Sequence, residues 1–170
     1  MNYSCCIDSP VGPLTVISDE TAVTRIRFGR FSDGSDDPEA FRSTDAALPK
    51  VLRLAVRELA AYFSGELQHF TVPVAPAGTP FQQRVWAALQ RIPYGATCSY
   101  RAIAEAVGNP KGCRAVGMAN HRNPIPIIIP CHRVVGTNGA LTGYASGLKI
   151  KSQLLELESA GCGDSLFALA

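Results

Sequence analysis

Cys131 lies in Pro130-Cys131-His132-Arg133-Val134, directly after the apolar run Ile125-Pro126-Ile127-Ile128-Ile129, so a thiol with an imidazole neighbour emerges from a stretch that reads as core. Cysteine attacks as its thiolate, and its ordinary pKa of about 8.5 must be offset by positive charge, a helix N-terminus or a base before the sulfur ionises at neutral pH. His132 and Arg133 are the local candidates. In an extended segment successive side chains point to opposite faces, so His132 could reach the sulfur only across a sharp bend or through a water. The competing reading makes Cys131 a small buried hydrophobe.

A second chemistry is written in the charge. The chain carries a net charge of +2, yet between Pro80 and Lys151 stand Arg84, Arg91, Arg101, Lys111, Arg114, Arg122, Arg133, Lys149 and Lys151 against one acid, Glu105. The remainder is acidic. A basic block outside any low-complexity tail is the footprint of a polyanion partner, nucleic acid first, with a solvated surface as the alternative.

The elements that must position these residues divide the chain into an N-terminal part, 1–78, and a C-terminal part, 79–170. Tyr3 to Ile7, Leu14 to Ile17 and Val23 to Phe28 are short β-branched or aromatic runs separated by turn residues, which predicts an antiparallel meander. A polar loop is expected from Ser32 to Asp45. Pro49 then opens an amphipathic helix in which Val51, Leu52, Ala55, Leu59, Tyr62 and Phe63 recur at helical spacing as far as Gly65. Val72 to Gly78, rich in Pro and Ala, reads as a linker. Thr79-Pro80 supplies an N-cap and a proline at the first helical position, with Phe81, Val85, Trp86 and Leu89 as a buried stripe.

Ser99 caps a predicted helix from Tyr100 to Val107, Gly108-Asn109-Pro110 makes a turn, and Gly112 to Asn120 forms a second helix, which is helix-turn-helix grammar. The second helix has few long polar side chains. Ala115 and Ala119 fall on one face at i and i+4, and Gly117 also removes bulk, so this helix is expected to approach a groove closely and read its shape. Arg114 is the long cation there, suited to entering a base stack or binding phosphate. Helix packing through small residues is the rival reading.

Composition excludes several classes. With 170 residues and 46% hydrophobic content the chain can build a real core, as one ordinary domain or two small ones. It has no apolar run of about 18 residues and no secretion-signal pattern at Met1-Asn2-Tyr3-Ser4, so a cytoplasmic protein without a membrane partner is expected. Six cysteines in such a chain are expected to be reduced thiols. Cys5-Cys6 lacks zinc-site spacing, and neither a metal nor a cofactor is expected.

Taken in order, Ile92-Pro93-Tyr94-Gly95, Ser99-Tyr100, Asn109-Pro110-Lys111, Arg114-Ala115-Val116-Gly117, Asn123 through Val134, and Leu154-Leu155-Glu156-Leu157-Glu158 resemble the O6-alkylguanine-DNA alkyltransferases. The match spans most of Phe81 to Glu158. The N-terminal half is similar in outline, through Ile7 to Leu14 and Ala61 to Gly65. The resemblance implies an α+β (α/β) fold: a small antiparallel-sheet domain of ribonuclease-H-like topology before a helical domain with a helix-turn-helix.

It also implies direct reversal of DNA damage. A base alkylated at guanine O6 would be rotated out of a duplex approached from the minor groove, at a cost of about a few kcal/mol. Cys131 would take the alkyl group in one irreversible turnover, from O6-methylguanine or O4-methylthymine. By the resemblance Arg114 would fill the vacated stack, and Tyr100 would press on a phosphate and bond the base. Arg101, Asn109 and Thr137 would line the backbone path, with Ala115, Gly117 and Ala119 along the groove. Glu158 would orient His132, which would take the thiol proton through a water, and Asn123 would brace the turn. Val134, Tyr144, Ala145 and Lys151 would wall the pocket, Tyr144 and Lys151 near the charge developing on the base oxygen. A monomer binding DNA cooperatively is the implied assembly.

Without the resemblance, Glu158 reads as a solvated acid near a helix end, Tyr144 as a loop aromatic and Lys151 as a surface lysine. The chain departs from the family pattern at Ala145, which has no hydroxyl, and at His121, and it lacks the N-terminal zinc ligands of some members. Two other classes stay open: a cysteine hydrolase, although no oxyanion-hole motif is visible, and a non-catalytic damage sensor on the same scaffold.

Overall fold

The computed structural model describes residues 2–30, 41–42 and 48–162 and divides into two compact units, Met1–Ala77 and Gly78–Ala170. The N-terminal unit is built on strands β1 (Tyr3–Ile7), β2 (Leu14–Ser18), β3 (Val23–Phe28) and β4 (Phe41–Arg42) in the order β3-β2-β1-β4. The first three form the expected antiparallel meander, with Tyr3 opposite Ser18 and Leu14 opposite Phe28. β4 pairs parallel to β1, which makes the sheet mixed. Apart from residues 41–42, the loop expected from Ser32 to Asp45 lies outside the described residues.

Helix α1 (Lys50–Phe63) buries Val51, Leu52, Ala55, Leu59 and Tyr62, the stripe that its periodicity predicts. Pro49 occupies the cap position just before the helix rather than its first turn. Glu58 is buried on the same helix because its carboxylate accepts from the backbone N–H groups of Thr71 and Val72 and from the Thr71 hydroxyl. Those bonds dock the segment expected to be a free linker. Val23 and Ala75 donate to the carbonyls of Pro73 and Val23, which lays residues 73–75 along the edge of β3. Backbone groups beside a sheet edge find partners there, and this outweighs the local breaker signal of the prolines.

The C-terminal unit opens with α2 (Pro80–Leu89). Thr79 and Gln82 form a reciprocal capping box ahead of it, and Val85, Trp86 and Leu89 are buried. A side chain at Gly78 would strike the Trp86 ring, so this position needs a glycine for close approach. Strand β5 (Cys98–Ser99) leads into α3 (Tyr100–Ala106), whose first turn is capped by the Ser99 hydroxyl accepting from Ala102 N–H at 3.0 Å. Gly108, at φ 78°, supplies the left-handed turn between α3 and α4 (Cys113–His121). β6 (Val134–Val135) pairs parallel with β5, and α5 (Leu148–Cys162) completes the unit. The core is formed by Trp86, Leu89, Ile103, Val116, Ile125, Ile127, Ile129, Val134 and Leu154.

Candidate active site

Cys131 does not continue the extended run. Residues Cys131–Arg133 form a single 3₁₀ turn between the apolar segment and β6, which supplies the sharp bend that neighbouring side chains need. Ahead of it the backbone folds back on itself. Ile127 sits at φ 75°, a left-handed conformation that a β-branched residue adopts only under constraint. Asn123 provides the constraint from both sides: its Nδ2 donates to the Ile129 carbonyl at 2.8 Å, and its Oδ1 accepts from Ile125 N–H at 3.0 Å. Ile129 N–H also donates to the Ile125 carbonyl at 3.0 Å. Asn120, in the last turn of α4, adds a third tie, donating from Nδ2 to the Cys131 carbonyl at 3.3 Å.

The groups around the sulfur are buried. His132, Lys151, Glu158, Cys131 and Arg133 are all below a tenth exposed. His132 Nε2 lies 2.6 Å from Glu158 Oε1. Arg133 grips the same carboxylate with both ends of its fork, Nε to Oε2 and Nη2 to Oε1, each at 2.9 Å, while Nη1 donates to the Ile92 carbonyl at 2.7 Å. Burial pushes Glu158 up, but the hydrogen bond with His132 and the charged fork of Arg133 outweigh it and hold the carboxyl at about 2.

Burial drives His132 the other way, toward the neutral imidazole, against the pull of Glu158. A neutral ring carries one proton, and next to an ionised carboxylate that proton belongs on Nε2. Nδ1 is then a bare lone pair, buried and without a hydrogen-bond partner among the described residues.

Burial raises the Cys131 thiol, opposed by hydrogen bonds from the Asn123 and Tyr144 side chains and by the charge of Lys151. Lys151 is itself driven toward its neutral form by burial, with Cys131 acting in the opposite sense. Its Nζ donates to the Thr142 carbonyl at 2.8 Å, and the Tyr100 hydroxyl donates to that same carbonyl at 3.1 Å. One backbone oxygen therefore ties α3, α5 and the loop carrying Tyr144 together, with Lys151 above the Tyr100 ring at 5.9 Å.

The structure brings Asn123, Tyr144 and Lys151 to the buried sulfur of Cys131 and pairs the adjacent His132 with Glu158, with Val134 fully buried in the strand that follows. Glu158 and Lys151 are thus not the solvated acid and surface lysine that their local sequence suggests. Ala145 is exposed, as are Asn109, Arg114, Ala115 and Thr137. Arg101 is also exposed and donates to Glu105 at 3.2 Å.

Ala119 is a correction. It is 2% exposed and packs inward, its carbonyl accepting from Trp86 Nε1 at 2.9 Å, so it does not share an open face with Ala115. Val116, Ala119 and Asn120 form the buried side of α4. Gly117 is half-buried, and a Cβ there would make only ordinary contact with the Tyr100 ring. The outward face of α4 is formed instead by Arg114, Ala115 and Met118, the last of these 54% exposed.

Sequence reasoning missed Arg133 as the residue that fixes Glu158, and Asn120. A signal existed for Asn120: Val116, Ala119 and Asn120 recur at i, i+3 and i+4, which puts a polar residue on a buried stripe. None existed for the Thr142 carbonyl, since a backbone oxygen carries no residue type. Among the described residues no three His, Cys, Asp or Glu side chains cluster to hold a metal ion, and no helix is long and apolar enough to cross a membrane.

Both halves of the chain match known families. Residues 2–76 match the family model described as 6-O-methylguanine DNA methyltransferase, ribonuclease-like domain, and residues 80–160 the one described as 6-O-methylguanine DNA methyltransferase, DNA binding domain. The chain is 49% identical over 156 residues to the methylated-DNA–protein-cysteine methyltransferase of Methanosarcina acetivorans, covering 92% of this chain and 97% of that protein. It is 47% identical over 159 residues to the constitutive enzyme of that name from Bacillus subtilis, covering 93% and 96%. Among solved structures, Mycobacterium tuberculosis OGT in complex with DNA superposes with a TM-score of 0.83 at 44% identity, covering 97% of this chain and 99% of the other. With both units matched by family models and nearly the whole chain aligned to relatives at close to half identity, the chain belongs to the 6-O-methylguanine DNA methyltransferase family.

Proposed function

We propose that the protein repairs DNA by direct reversal, moving the alkyl group of O6-alkylguanine in a duplex onto the sulfur of Cys131 in a single turnover. The observation that carries this is the buried chain from Glu158 through His132 to the turn that bears Cys131. His132 Nδ1 takes the thiol proton through a bridging water, which suits a bare lone pair on a ring one residue from the sulfur. The thiolate displaces the purine from the alkyl carbon in line: a carbon–sulfur bond forms, the carbon–oxygen bond breaks, and the purine leaves with its electron pair and is reprotonated. Tyr144 and Lys151 face the charge that builds up on the leaving base. The product is a thioether, which cannot ionise or recycle.

A base inside a helix cannot reach a buried sulfur, so the lesion is extruded. Arg114, exposed at the first turn of α4, fills the gap in the stack, with Ala115 and Met118 against the shallow groove and Arg101, Asn109 and Thr137 along the backbone. Ala119 takes no part. The small outward face of α4 suits the minor groove, and the protein acts as a monomer in the free state. Tyr100, its hydroxyl parked on the Thr142 carbonyl, turns to the extruded base. The ribonuclease-like and helical units correspond to the two functional domains, with alkyl transfer confined to the second. A non-catalytic sensor on this scaffold has no use for an ionised Glu158 and a neutral His132 beside a thiol, and the geometry disfavours it.

Incubation with a duplex containing O6-methylguanine should add one methyl mass to the peptide that holds Cys131, in step with loss of activity. An unmodified Cys131 in folded protein, with lesion-bearing duplex in excess, overturns the proposal.

A further inference from the structure

Two buried acceptors belong to the turn that bears the nucleophile. Asn120 is 4% exposed and His132 is 0% exposed, and Asn120 Oδ1 and His132 Nδ1 both lack a hydrogen-bond partner among the described residues. Each residue is fixed to Cys131: Asn120 Nδ2 donates to the Cys131 carbonyl at 3.3 Å, and His132 is the next residue, held on its far side by Glu158 at 2.6 Å. Neither bare atom can trade its role. Exchanging the ends of the Asn120 amide would set its oxygen against the Cys131 carbonyl, and the proton of the neutral imidazole is committed to Glu158. Buried acceptors are almost always satisfied in folded proteins, and two acceptors cannot satisfy each other, so this pair calls for a small molecule with two donors. Ser18 Oγ is similarly bare, but it lies in the sheet of the other unit.

We infer that Asn120 is a positioning residue for the proton relay: its Oδ1 and His132 Nδ1 accept the two O–H groups of one buried water, the water that carries the Cys131 proton. This rests on the reading of Cys131 as the alkyl acceptor. The polarity of the site then sets the direction of transfer. With both hydrogens taken, the water turns only its lone pairs to the sulfur, so it accepts from the S–H and has nothing to donate to it. As the thiol proton moves to the water oxygen, one of the water's own protons moves to Nδ1, which leaves a thiolate, an imidazolium facing Glu158 and an intact water still held by Asn120. Without Oδ1 the water is free to rotate and to offer a hydrogen to the sulfur, the wrong polarity for the step.

The test measures the second-order rate of methyl transfer to Cys131 from a duplex containing O6-methylguanine, in the full chain, for the wild type and Asn120→Leu between about pH 7 and about pH 10. At neutral pH the variant should be slower by about tenfold, the effect of one neutral hydrogen bond. As pH rises the thiol gives its proton to solvent and the relay is bypassed, so the ratio of the two rates should approach one. A merely misplaced turn would keep the same handicap at every pH. Lys151 and Tyr144 face the sulfur, and Glu158, Arg133 and Lys151 act on the imidazole, but all are common to both proteins and drop out of the ratio. Equal rates at neutral pH, or a constant ratio across the range, overturn the inference and leave the alkyl-transfer reading intact. Absence of transfer by the wild type at every pH overturns both. A crystal structure of the free wild-type protein tests the inference without a variant: one water should lie within about 3.2 Å of both Asn120 Oδ1 and His132 Nδ1, and its absence at a resolution that shows ordered solvent overturns the assignment.

Discussion

Replacing Glu158 with Gln is the sharpest perturbation the site offers. This carboxylate takes a hydrogen bond from His132 Nε2 at 2.6 Å and two from Arg133 at 2.9 Å. A glutamine turns one of its two acceptors into a donor and removes the charge, so Arg133, itself 6% exposed, loses its counter-ion. Holding a carboxyl at about 2 rather than its ordinary 4.5 corresponds to about 3 kcal/mol of stability at neutral pH. Removing one partner of a buried ion pair gives a similar figure, about 3–5 kcal/mol. Against a total stability of about 5–15 kcal/mol, that is a large fraction.

The sign with pH follows from the depressed carboxyl. Its contribution is fully present above 4.5 and is lost as pH falls through about 2, so the gap between wild type and Glu158→Gln should close over that window. Denaturant unfolding followed by the emission of Trp86, the single tryptophan and part of the same unit, measures the gap. A difference below about 1 kcal/mol at neutral pH, or one that does not shrink in acid, would refute the account of Glu158 as the ionised hub of the site.

Arg114→Ala should slow methyl transfer from duplex DNA by more than about tenfold and leave transfer from the free base nearly unchanged; equal losses on both would remove Arg114 from the base stack. Asn123→Ala frees the turn that holds Ile127 at φ 75°, strips the acceptor from Ile125 N–H and leaves the Ile129 carbonyl with Cys131 N–H as its donor. It should cost about 1–3 kcal/mol and slow transfer in protein that is still folded, with faster amide exchange at Ile125 as the local signature. Because burial raises the Cys131 thiol, the transfer rate should climb as pH rises above neutrality, and a flat profile would mean that the sulfur is already ionised.

What could be read from the residues followed local rules. Thr79 and Ser99 cap their helices because hydroxyls satisfy N–H groups a few residues on. The stripe of α1 is buried where its period says, since a helix can hide only one face. Ala119 went astray because its i, i+4 relation to the exposed Ala115 masks its place on the inward stripe with Val116 and Asn120. The Val72–Gly78 segment misled because proline forbids helix but permits an edge partner, a distinction made by β3 and Glu58 from far away in the chain.

For the site, the sequence alone marked Cys131 as the candidate nucleophile and His132 as its neighbour, because the two are adjacent and their chemistry belongs to their side chains. It also pointed to a polyanion as partner, through a cationic block whose charge does not depend on folding. The protonation pattern was decided only by the tertiary structure. Glu158 is ionised because Arg133 and His132 surround it, His132 is neutral because it is buried, and Lys151 lies over Tyr100 because one carbonyl of a distant loop holds both. A side chain's charge is set by what lies within a few ångströms of it, and folding brings those neighbours together from residues far apart in the chain.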